Sequence, residues 1–464
     1  MELNVLIMAA GRGTRMRSQR AKVLHSLAGQ PLINYVYQTA LRLQPARIIT
    51  VVGHQGEEVI ATLTSQVPLL ADFAKVVVPE FVWQTTQQGT GHAVLMAKEL
   101  LINDLRPILI LSGDVPLVTL PALQTLCQIH QDSAAAATVL TVELPDPSGY
   151  GRIVRNADGS FQRIVEQRDA SETEHALTEI NSGIYCFTAT ALFAALAEIA
   201  PTNAQAEYYL TDVLGILVQQ QQVVASYRYC EATEVLGINN RAELAAATKK
   251  IRRQKLQTLM LDNGVTIIDP DSTYIDTAVK IGQDSVVYPQ TIIEGTTVIG
   301  ENCTIGMGVH LSNCKLGNNV TIRDHCLIVD SQLASNTAVG PFAHLRMGTE
   351  LAEQAVVGNF VELKKSHLGK GTKAMHLSYL GDATIGNKVN IGAGTITCNY
   401  DGKHKHATII EDNVKIGSDT MLVAPVTVGK GAVTGAGTVV IRDVPANSLV
   451  VGAPGIIKKS YSPE

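Results

Sequence analysis

Met8-Ala9-Ala10-Gly11-Arg12-Gly13-Thr14-Arg15-Met16-Arg17-Ser18-Gln19-Arg20-Ala21-Lys22 follows directly on a short apolar run, Leu3-Asn4-Val5-Leu6-Ile7-Met8. A run this brief, apolar almost throughout and stopped by small residues, reads as a strand buried on both faces of a parallel sheet. Gly11 and Gly13 carry no Cβ, so the backbone after it bends sharply and turns N–H groups toward an anion. Arg12, Arg15, Arg17, Arg20 and Lys22 add positive charge around the bend. That combination suits a nucleoside triphosphate. Met16 stands where the dinucleotide fingerprint needs a third Gly, and no Gly-Lys-Ser/Thr closes a Walker A loop. For the glycines taken alone, plain turn punctuation is the alternative reading.

Outward from this bend the first half alternates two periodicities. Ile48-Ile49-Thr50-Val51-Val52-Gly53, Lys75-Val76-Val77-Val78 and Ile108-Leu109-Ile110-Leu111 read as strands, with amphipathic stretches such as His92 to Leu101 between them. The pattern implies a mostly parallel α/β sheet with ligands off the carboxyl ends of its strands. Ser112-Gly113-Asp114 ends one such strand, where the Asp114 carboxylate is placed for a hard cation to bridge it to phosphate oxygens. A helix cap or turn aspartate before Pro116 is the alternative.

The chain has 464 residues, a formal charge of -5 and 46% hydrophobic residues, too long for one ordinary core and without an electrostatic case for nucleic acid. Its seven cysteines, Cys127, Cys186, Cys230, Cys303, Cys314, Cys326 and Cys398, are scattered without CxxC or metal-ligand spacing. Disulfides and structural zinc are therefore unsupported and a reduced cytoplasmic setting is expected. No run approaches the ~20 apolar residues of a membrane span, and the N-terminus lacks a signal-peptide pattern.

From Asn240-Arg241-Ala242-Glu243 to about Leu261 the chain is rich in helix formers, and Asp262-Asn263-Gly264 stops it. We read one connecting helix, with Lys249, Lys250, Arg252 and Arg253 on its solvated face. Beyond it, apolar residues recur every sixth position at Ile281, Val287, Ile293, Ile299 and Ile305, and again at Ile410, Ile416, Leu422 and Val428. Gly often follows, as in Ile299-Gly300, Ile391-Gly392 and Val428-Gly429. This period marks a parallel β-helix, each short strand sending one apolar side chain inward. Leu316, Val339, Leu368 and Ile385 reset the phase, so shortened sides or loops are expected there. The largest interruption is Thr397-Cys398-Asn399-Tyr400-Asp401-Gly402-Lys403-His404-Lys405-His406. A loop with aromatic and basic tips is either a functional element or a solvated excursion.

Ala9 to Met16, Ala21-Lys22-Val23-Leu24-His25, Gln88-Gly89-Thr90-Gly91-His92-Ala93, Gly149-Tyr150-Gly151-Arg152-Ile153, Glu179-Ile180-Asn181-Ser182-Gly183 and Gly237-Ile238-Asn239-Asn240-Arg241 follow one another in the first half. Asn359-Phe360-Val361-Glu362-Leu363-Lys364-Lys365, Ala374-Met375-His376-Leu377-Ser378-Tyr379-Leu380-Gly381-Asp382 and Gly392 to Gly402 follow in the second. In this order, over nearly the full length, the chain resembles the bifunctional bacterial N-acetylglucosamine-1-phosphate uridylyltransferase / glucosamine-1-phosphate acetyltransferase family. Members commonly carry Pro where Ala21 stands, a change of loop rigidity more than of chemistry.

The resemblance implies an α/β nucleotidyltransferase domain with a mostly parallel, Rossmann-like sheet over 1–241 and a linker helix over 242–262. A left-handed parallel β-helix of hexapeptide repeats then carries the acetyltransferase over 263–464. It implies that Met8, Ala9, Ala10 and Gly11, with Arg15 and Lys22, hold the phosphates of UTP. Gln84, Gly89 and Thr90 read the uridine, Ser112, Gly113 and Asp114 line the site, and Asp114 and Asn239 ligate Mg²⁺. Gly151, Glu166 and Asn181 hold N-acetylglucosamine; a surface carboxylate and a strand-end turn are the alternatives for the last two. In the second domain it implies His376 as general base for acetyl transfer from acetyl-CoA to the amine of glucosamine 1-phosphate. Arg346 and Lys364 grip the sugar phosphate, and Tyr379 and Asn390 the sugar hydroxyls, where an outward-facing residue and a stacked corner Asn are the alternatives. Ala393, Asn399, Tyr400, Ser418, Ala436 and Ala453 map onto acetyl-CoA contacts. Near Ala453, relatives can carry a basic residue, whereas this chain reads Val451-Gly452-Ala453-Pro454-Gly455. The missing charge is expected from Lys458 or Lys459, and an unchanged acetyl-CoA affinity at low salt after replacing both by Ala contradicts that. A homotrimer with acetyl-transfer sites between subunits is also implied, testable by light scattering. The rival readings are a single-function sugar nucleotidyltransferase with a structural repeat domain, and a non-catalytic sugar-nucleotide scaffold.

Overall fold

The computed structural model describes residues 2–67 and 77–452; Lys75, Val76, Ala453, Lys458 and Lys459 lie outside these. Two compact units divide the chain, Met1–Lys249 and Lys250–Glu464. Among the described residues no helix is long and apolar enough to cross a membrane.

The first unit is built on a nine-stranded sheet: β1 (Asn4–Met8), β2 (Arg47–Val52), β3 (Pro79–Trp83), β4 (Ile108–Ser112), β5 (Ala137–Glu143), β6 (Arg152–Arg155), β7 (Phe161–Val165), β8 (Glu179–Phe187) and β9 (Val224–Tyr229). The spatial order is β9-β5-β8-β4-β1-β2-β3, with β6 pairing to β8 and to β7. Along this path only β8 runs antiparallel to its neighbours, β4 and β5. Successive β1 side chains feed opposite faces, Val5 and Ile7 into one apolar core and Leu6 into the other. Both faces are covered, which is why the strand reads as an unbroken apolar run rather than an alternation.

Two elements differ from the sequence reading. The third strand is Pro79–Trp83, and Val77 and Val78 precede it. As an edge strand paired only to β2, β3 is half-exposed, so it never needed the continuous apolar run that drew the reading to the valines. The stretch from His92 to Leu101 forms two short helices, Thr90–Leu95 and Lys98–Leu101, instead of one. Its apolar spacing survives because Ala93, Val94, Ala97 and Leu101 all pack on the same face of the sheet.

β1 and β4 are parallel neighbours with Met8 opposite Ser112, yet β2 and β3 extend the sheet on one side of β1 while β4 lies on the other. Their carboxyl ends therefore frame the point where the winding reverses, the usual place for a ligand crevice in such sheets.

The second unit stacks short parallel strands into three sheets of eleven, ten and nine strands, the three faces of a parallel β-helix. Each strand pairs with its counterpart one coil later. Val287 and Ile305, eighteen residues apart, are partners, as are Ile299 and Leu316, Ile322 and Val339, and Leu368 and Ile385, each seventeen apart. Every phase reset noted in the sequence is thus a coil one residue short, with the inward column of Ile, Val and Leu kept intact. Corner threonines satisfy the turns from inside, as where Thr395 Oγ1 donates to the Gly392 carbonyl at 2.7 Å and Thr420 Oγ1 to Gly417 at 2.7 Å. The pair Ile391 and Ile416 spans twenty-five residues, and the excess is the Thr397 to His406 excursion.

The connecting helix runs Arg241–Leu261 and ends before Gly264, which adopts φ +67°. One expectation fails there: Arg252 is buried, its guanidinium 4.1 Å from the centre of the Tyr274 ring and donating to the Asp271 carbonyl at 3.1 Å. A planar cation stacked on an aromatic ring needs no solvated face.

Candidate functional site

The bend after β1 is shaped by one glycine rather than two. Gly13 sits at φ +61°, where a Cβ would come within 2.5 Å of the Lys22 Cβ, so the close passage of the Lys22 segment requires its hydrogen. A Cβ on Gly11 would meet nothing within 4 Å, because that position opens onto a cleft. The Ala9 N–H is spent on the Val51 carbonyl at 2.9 Å, extending the sheet. Among the described residues, the N–H groups of Ala10 and Gly11 have no protein acceptor. They are the donors left for an anion.

The cleft, of about 350 Å³, gathers Met8, Ala9, Ala10, Gly11, Lys22, Gln84, Gly89, Thr90, Ser112 and Asp114, and with them Arg12, Gln87, Ala93 and Glu207. Gln84, at the carboxyl end of β3, is buried and donates through Nε2 to the Gly89 carbonyl at 3.0 Å. Gly89 has φ +106° and passes so close to the Tyr208 carbonyl that a Cβ would lie 2.5 Å from it. Thr90 Oγ1 accepts from Leu210 N at 3.0 Å. Gln87 Nε2 donates to the Ala10 carbonyl at 2.8 Å, pinning the bend from across the cleft. Gln87 and Glu207 escaped the sequence reading because single polar residues in a loop carry no periodic signal.

Behind the bend lies a polar cluster. Asp114 and Asn239 are both buried, and Lys22 Nζ contacts the carboxylate of Asp114 while donating to Asn239 Oδ1 at 3.2 Å. Arg15 donates to the same Asn239 oxygen at 2.8 Å, and Ser112 Oγ donates to Asp114 Oδ1 at 2.6 Å. Asn239 is held in turn by its N–H on Glu243 Oε2 at 2.6 Å. Burial pushes the Asp114 carboxyl up, but the Lys22 ammonium and the hydrogen bonds from Lys22 and Ser112 outweigh it and hold the group below its ordinary range. One carboxylate and one amide oxygen within reach of a single ammonium are hard donors converging on a point, suited to Mg²⁺. No cluster of three His, Cys, Asp or Glu occurs among the described residues.

Gly151, Glu166 and Asn181 meet beside this cluster. Asn181 N donates to the Gly151 carbonyl at 2.9 Å, and a Cβ on Gly151 would lie 3.4 Å from Glu166 Oε2. The bulge in β8 between Asn181 and Tyr185 turns the Asn181 amide onto the Tyr185 hydroxyl at 2.7 Å. Burial raises the Glu166 carboxyl above its ordinary value, against the hydrogen bond that Thr211 donates at 3.2 Å. The phenol of Tyr150, next to Gly151, is raised by burial and by the carboxylates of Glu243 and Asp114, against the Arg15 guanidinium.

In the second unit His376 ends the strand Lys373–His376 opposite Asn359, and its Nδ1 lies 2.9 Å from Asn359 Oδ1. An amide oxygen only accepts, so the Nδ1 proton is held there and the Nε2 lone pair is free. One coil face along, Arg346 donates to Glu362 at 2.9 Å and Lys364 Nζ is 3.5 Å from Asp382. Asn399 Nδ2 donates to Asp382 at 2.5 Å and lies 3.4 Å from the Tyr379 hydroxyl, which occupies the space that a Cβ on Gly381 would fill. Asn359 and Asp382 were visible as residues of motifs, but their positioning roles depend on pairing across coils that no local pattern reveals. Asn390 is exposed between Lys373 and Lys415 on neighbouring coils. Gly392, Gly417 and Gly435 stack so closely that no Cβ fits, which puts Ala393, Ser418 and Ala436 in one column of small residues. Tyr400 stands in the excursion, 56% exposed, with Lys405 Nζ 4.3 Å from its ring centre. The described residues do not reach Ala453.

Residues 4–231 match the nucleotidyl transferase family model, 270–365 the GMPPB C-terminal domain and 407–442 the bacterial transferase hexapeptide (six repeats). The chain is 49% identical over 446 residues to the bifunctional protein GlmU of Heliobacterium modesticaldum, covering 96% of this chain and 94% of that one. It is 46% identical to the bifunctional protein GlmU of a Geobacillus species, over 98% and 96% of the two chains. With that of Geotalea uraniireducens it shares 45%, over 99% and 98%.

Proposed function

The chain belongs to the family of the bifunctional protein GlmU, and from that premise we propose how its two units divide two reactions. The protein is a bifunctional transferase: it acetylates glucosamine 1-phosphate with acetyl-CoA, then transfers UMP from UTP to N-acetylglucosamine 1-phosphate. The products are pyrophosphate and UDP-N-acetylglucosamine, a cell-wall precursor. A uridylyltransferase domain over 1–241, within the first unit, carries the second reaction. The left-handed β-helix over 263–464 carries the first, after the linker helix.

In uridylyl transfer a phosphate oxygen of the sugar attacks the α-phosphorus of UTP and the bond to the β-phosphate breaks. Catalysis is mostly positioning and charge. The Ala10 and Gly11 N–H groups, Arg15 and Lys22 take the triphosphate, Gln84, Gly89 and Thr90 the uridine, and Gly151, Glu166 and Asn181 the N-acetylglucosamine. Asp114 and Asn239 hold Mg²⁺, which supplies charge neutralisation at the reacting phosphates. In acetyl transfer the amine of glucosamine 1-phosphate attacks the thioester carbonyl and the C–S bond breaks. His376 Nε2 takes the amine proton, a role worth about 10²–10⁴ in rate. Arg346 and Lys364 face the sugar phosphate, Tyr379 and Asn390 the hydroxyls. The small-residue column of Ala393, Ser418 and Ala436, with Asn399, Tyr400 and Ala453, takes the pantetheine arm. The reading further includes a homotrimer and a cytoplasmic location.

The observation that carries this reading is the cleft at the β1/β4 reversal, where free N–H groups, two cations and two hard oxygen donors converge. Assaying the half-reactions separately on the intact chain tests it. Pyrophosphate release from UTP must depend on N-acetylglucosamine 1-phosphate, and loss of glucosamine 1-phosphate on acetyl-CoA. Absence of the second activity leaves the single-function nucleotidyltransferase; absence of both leaves the scaffold.

A further inference from the structure

The two cations expected to grip the triphosphate are both engaged with the two oxygens expected to grip the metal. Lys22 Nζ contacts the Asp114 carboxylate and donates to Asn239 Oδ1 at 3.2 Å, and Arg15 donates to that same Asn239 oxygen at 2.8 Å. Ser112 Oγ takes the other Asp114 oxygen at 2.6 Å. Both acceptors are thus already supplied with donors, in a place where Asp114 and Asn239 are less than a tenth exposed. A buried carboxylate stripped of its counter-charge is costly, so the pair stays closed until something replaces it.

We infer that Lys22, seconded by Arg15, is an internal counter-ion that keeps a divalent cation from Asp114 and Asn239 until a nucleotide draws it away. A hydrated divalent ion arriving alone must expel an ammonium and break charge-assisted hydrogen bonds. A nucleotide diphosphate or triphosphate offers Lys22 and Arg15 new oxygens on the opposite side, at the Ala10 and Gly11 N–H groups. Their departure frees both metal ligands together. Metal and nucleotide therefore bind with positive coupling, and by linkage each tightens the other by the same factor. The exchange moves no proton and breaks no covalent bond. It rests on the reading of the cleft as a UTP and metal site.

The test uses Mn²⁺ as the probe, on the full-length protein at pH 8, with free aqueous Mn²⁺ followed by electron paramagnetic resonance and no turnover. Wild type, Lys22→Met, Arg15→Met and the double variant Lys22→Met/Asp114→Asn are compared, each with its thermal melt recorded. Without nucleotide, K22M binds Mn²⁺ at least tenfold more tightly than wild type, R15M shows a smaller gain, and K22M/D114N loses the gain. UDP-N-acetylglucosamine, itself a weak chelator, tightens Mn²⁺ at least tenfold on wild type and less than threefold on K22M. Equal Mn²⁺ affinity of wild type and K22M in the absence of nucleotide overturns the counter-ion role, and loss of nucleotide-dependent binding in K22M/D114N then leaves the site reading intact. A gain in K22M that survives D114N overturns both, since the ion is then elsewhere. If K22M melts well below wild type, R15M carries the comparison, and its failure to exceed wild type counts against the inference.

Discussion

His376 and Glu166 show how far one side chain's surroundings determine what it can do. Asn359 Oδ1 accepts from His376 Nδ1 at 2.9 Å and so leaves Nε2 as the basic atom. Replacing His376 by Ala is expected to lower acetyl transfer by about 10²–10⁴ and leave uridylyl transfer unchanged. Parallel assays of both reactions check this, and equal loss in the two contradicts it. In the proposed sugar site an ionised Glu166 accepts more strongly than a protonated one, and burial raises its pKa. The KM for N-acetylglucosamine 1-phosphate is therefore expected to rise on acidification while ordinary glutamates are still ionised, and Glu166→Gln to flatten that limb of the profile. For folding the sign is opposite: a raised folded-state pKa gives stability that is full below the unfolded value and is lost as pH rises through the folded one. Asp114 was legible at this scale from its place at the end of an apolar strand. The positioning roles of Asn359 and Asp382, and Gln87 altogether, were not, because their partners lie a coil or a loop away.

Between residue and fold, the excursion from Thr397 to His406 behaves as an ordered element. Asp401 accepts from the N–H groups of His404 and Lys403, each at 2.7 Å, and from the His406 ring at 2.7 Å, which holds its carboxyl well below the usual range. Tyr400 and Lys405 bridge its two arms. Asp401→Ala removes the acceptor that closes this turn, and the KM for acetyl-CoA is expected to rise about tenfold, with Asp401→Asn retaining most of the affinity. Steady-state kinetics in acetyl-CoA check it; unchanged KM in Asp401→Ala makes the excursion a bystander. The hexapeptide period was the clearest message of the sequence, because each inward Ile, Val or Leu must meet its neighbour one coil later whatever the corners do. Edge strand β3 was misplaced because an element half in water is under no such constraint, and Arg252 was misjudged because a charge on a helix says nothing of the Tyr274 ring it stacks on.

For the whole molecule, two units with separate apolar cores carry separate chemistries on one chain. The proposed trimer is checked by light scattering at assay concentration: a mass three times that of the chain is expected, and a monomer that still transfers acetyl removes the need for sites between subunits. The order of the motifs was readable along the sequence, whereas assembly was not, since periodicity reports what faces a chain's own core and not what covers its outside. Uridylyl transfer rests on the claim that the cleft at the β1/β4 reversal receives UTP. A crystal structure with UTP and Mg²⁺ tests this most directly. Phosphate oxygens are expected on the Ala10 and Gly11 N–H groups, uracil at Gln84, and the ion between Asp114 and Asn239 with Lys22 turned onto the phosphates. UTP bound elsewhere, with this cleft empty and Lys22 still on Asp114, contradicts it.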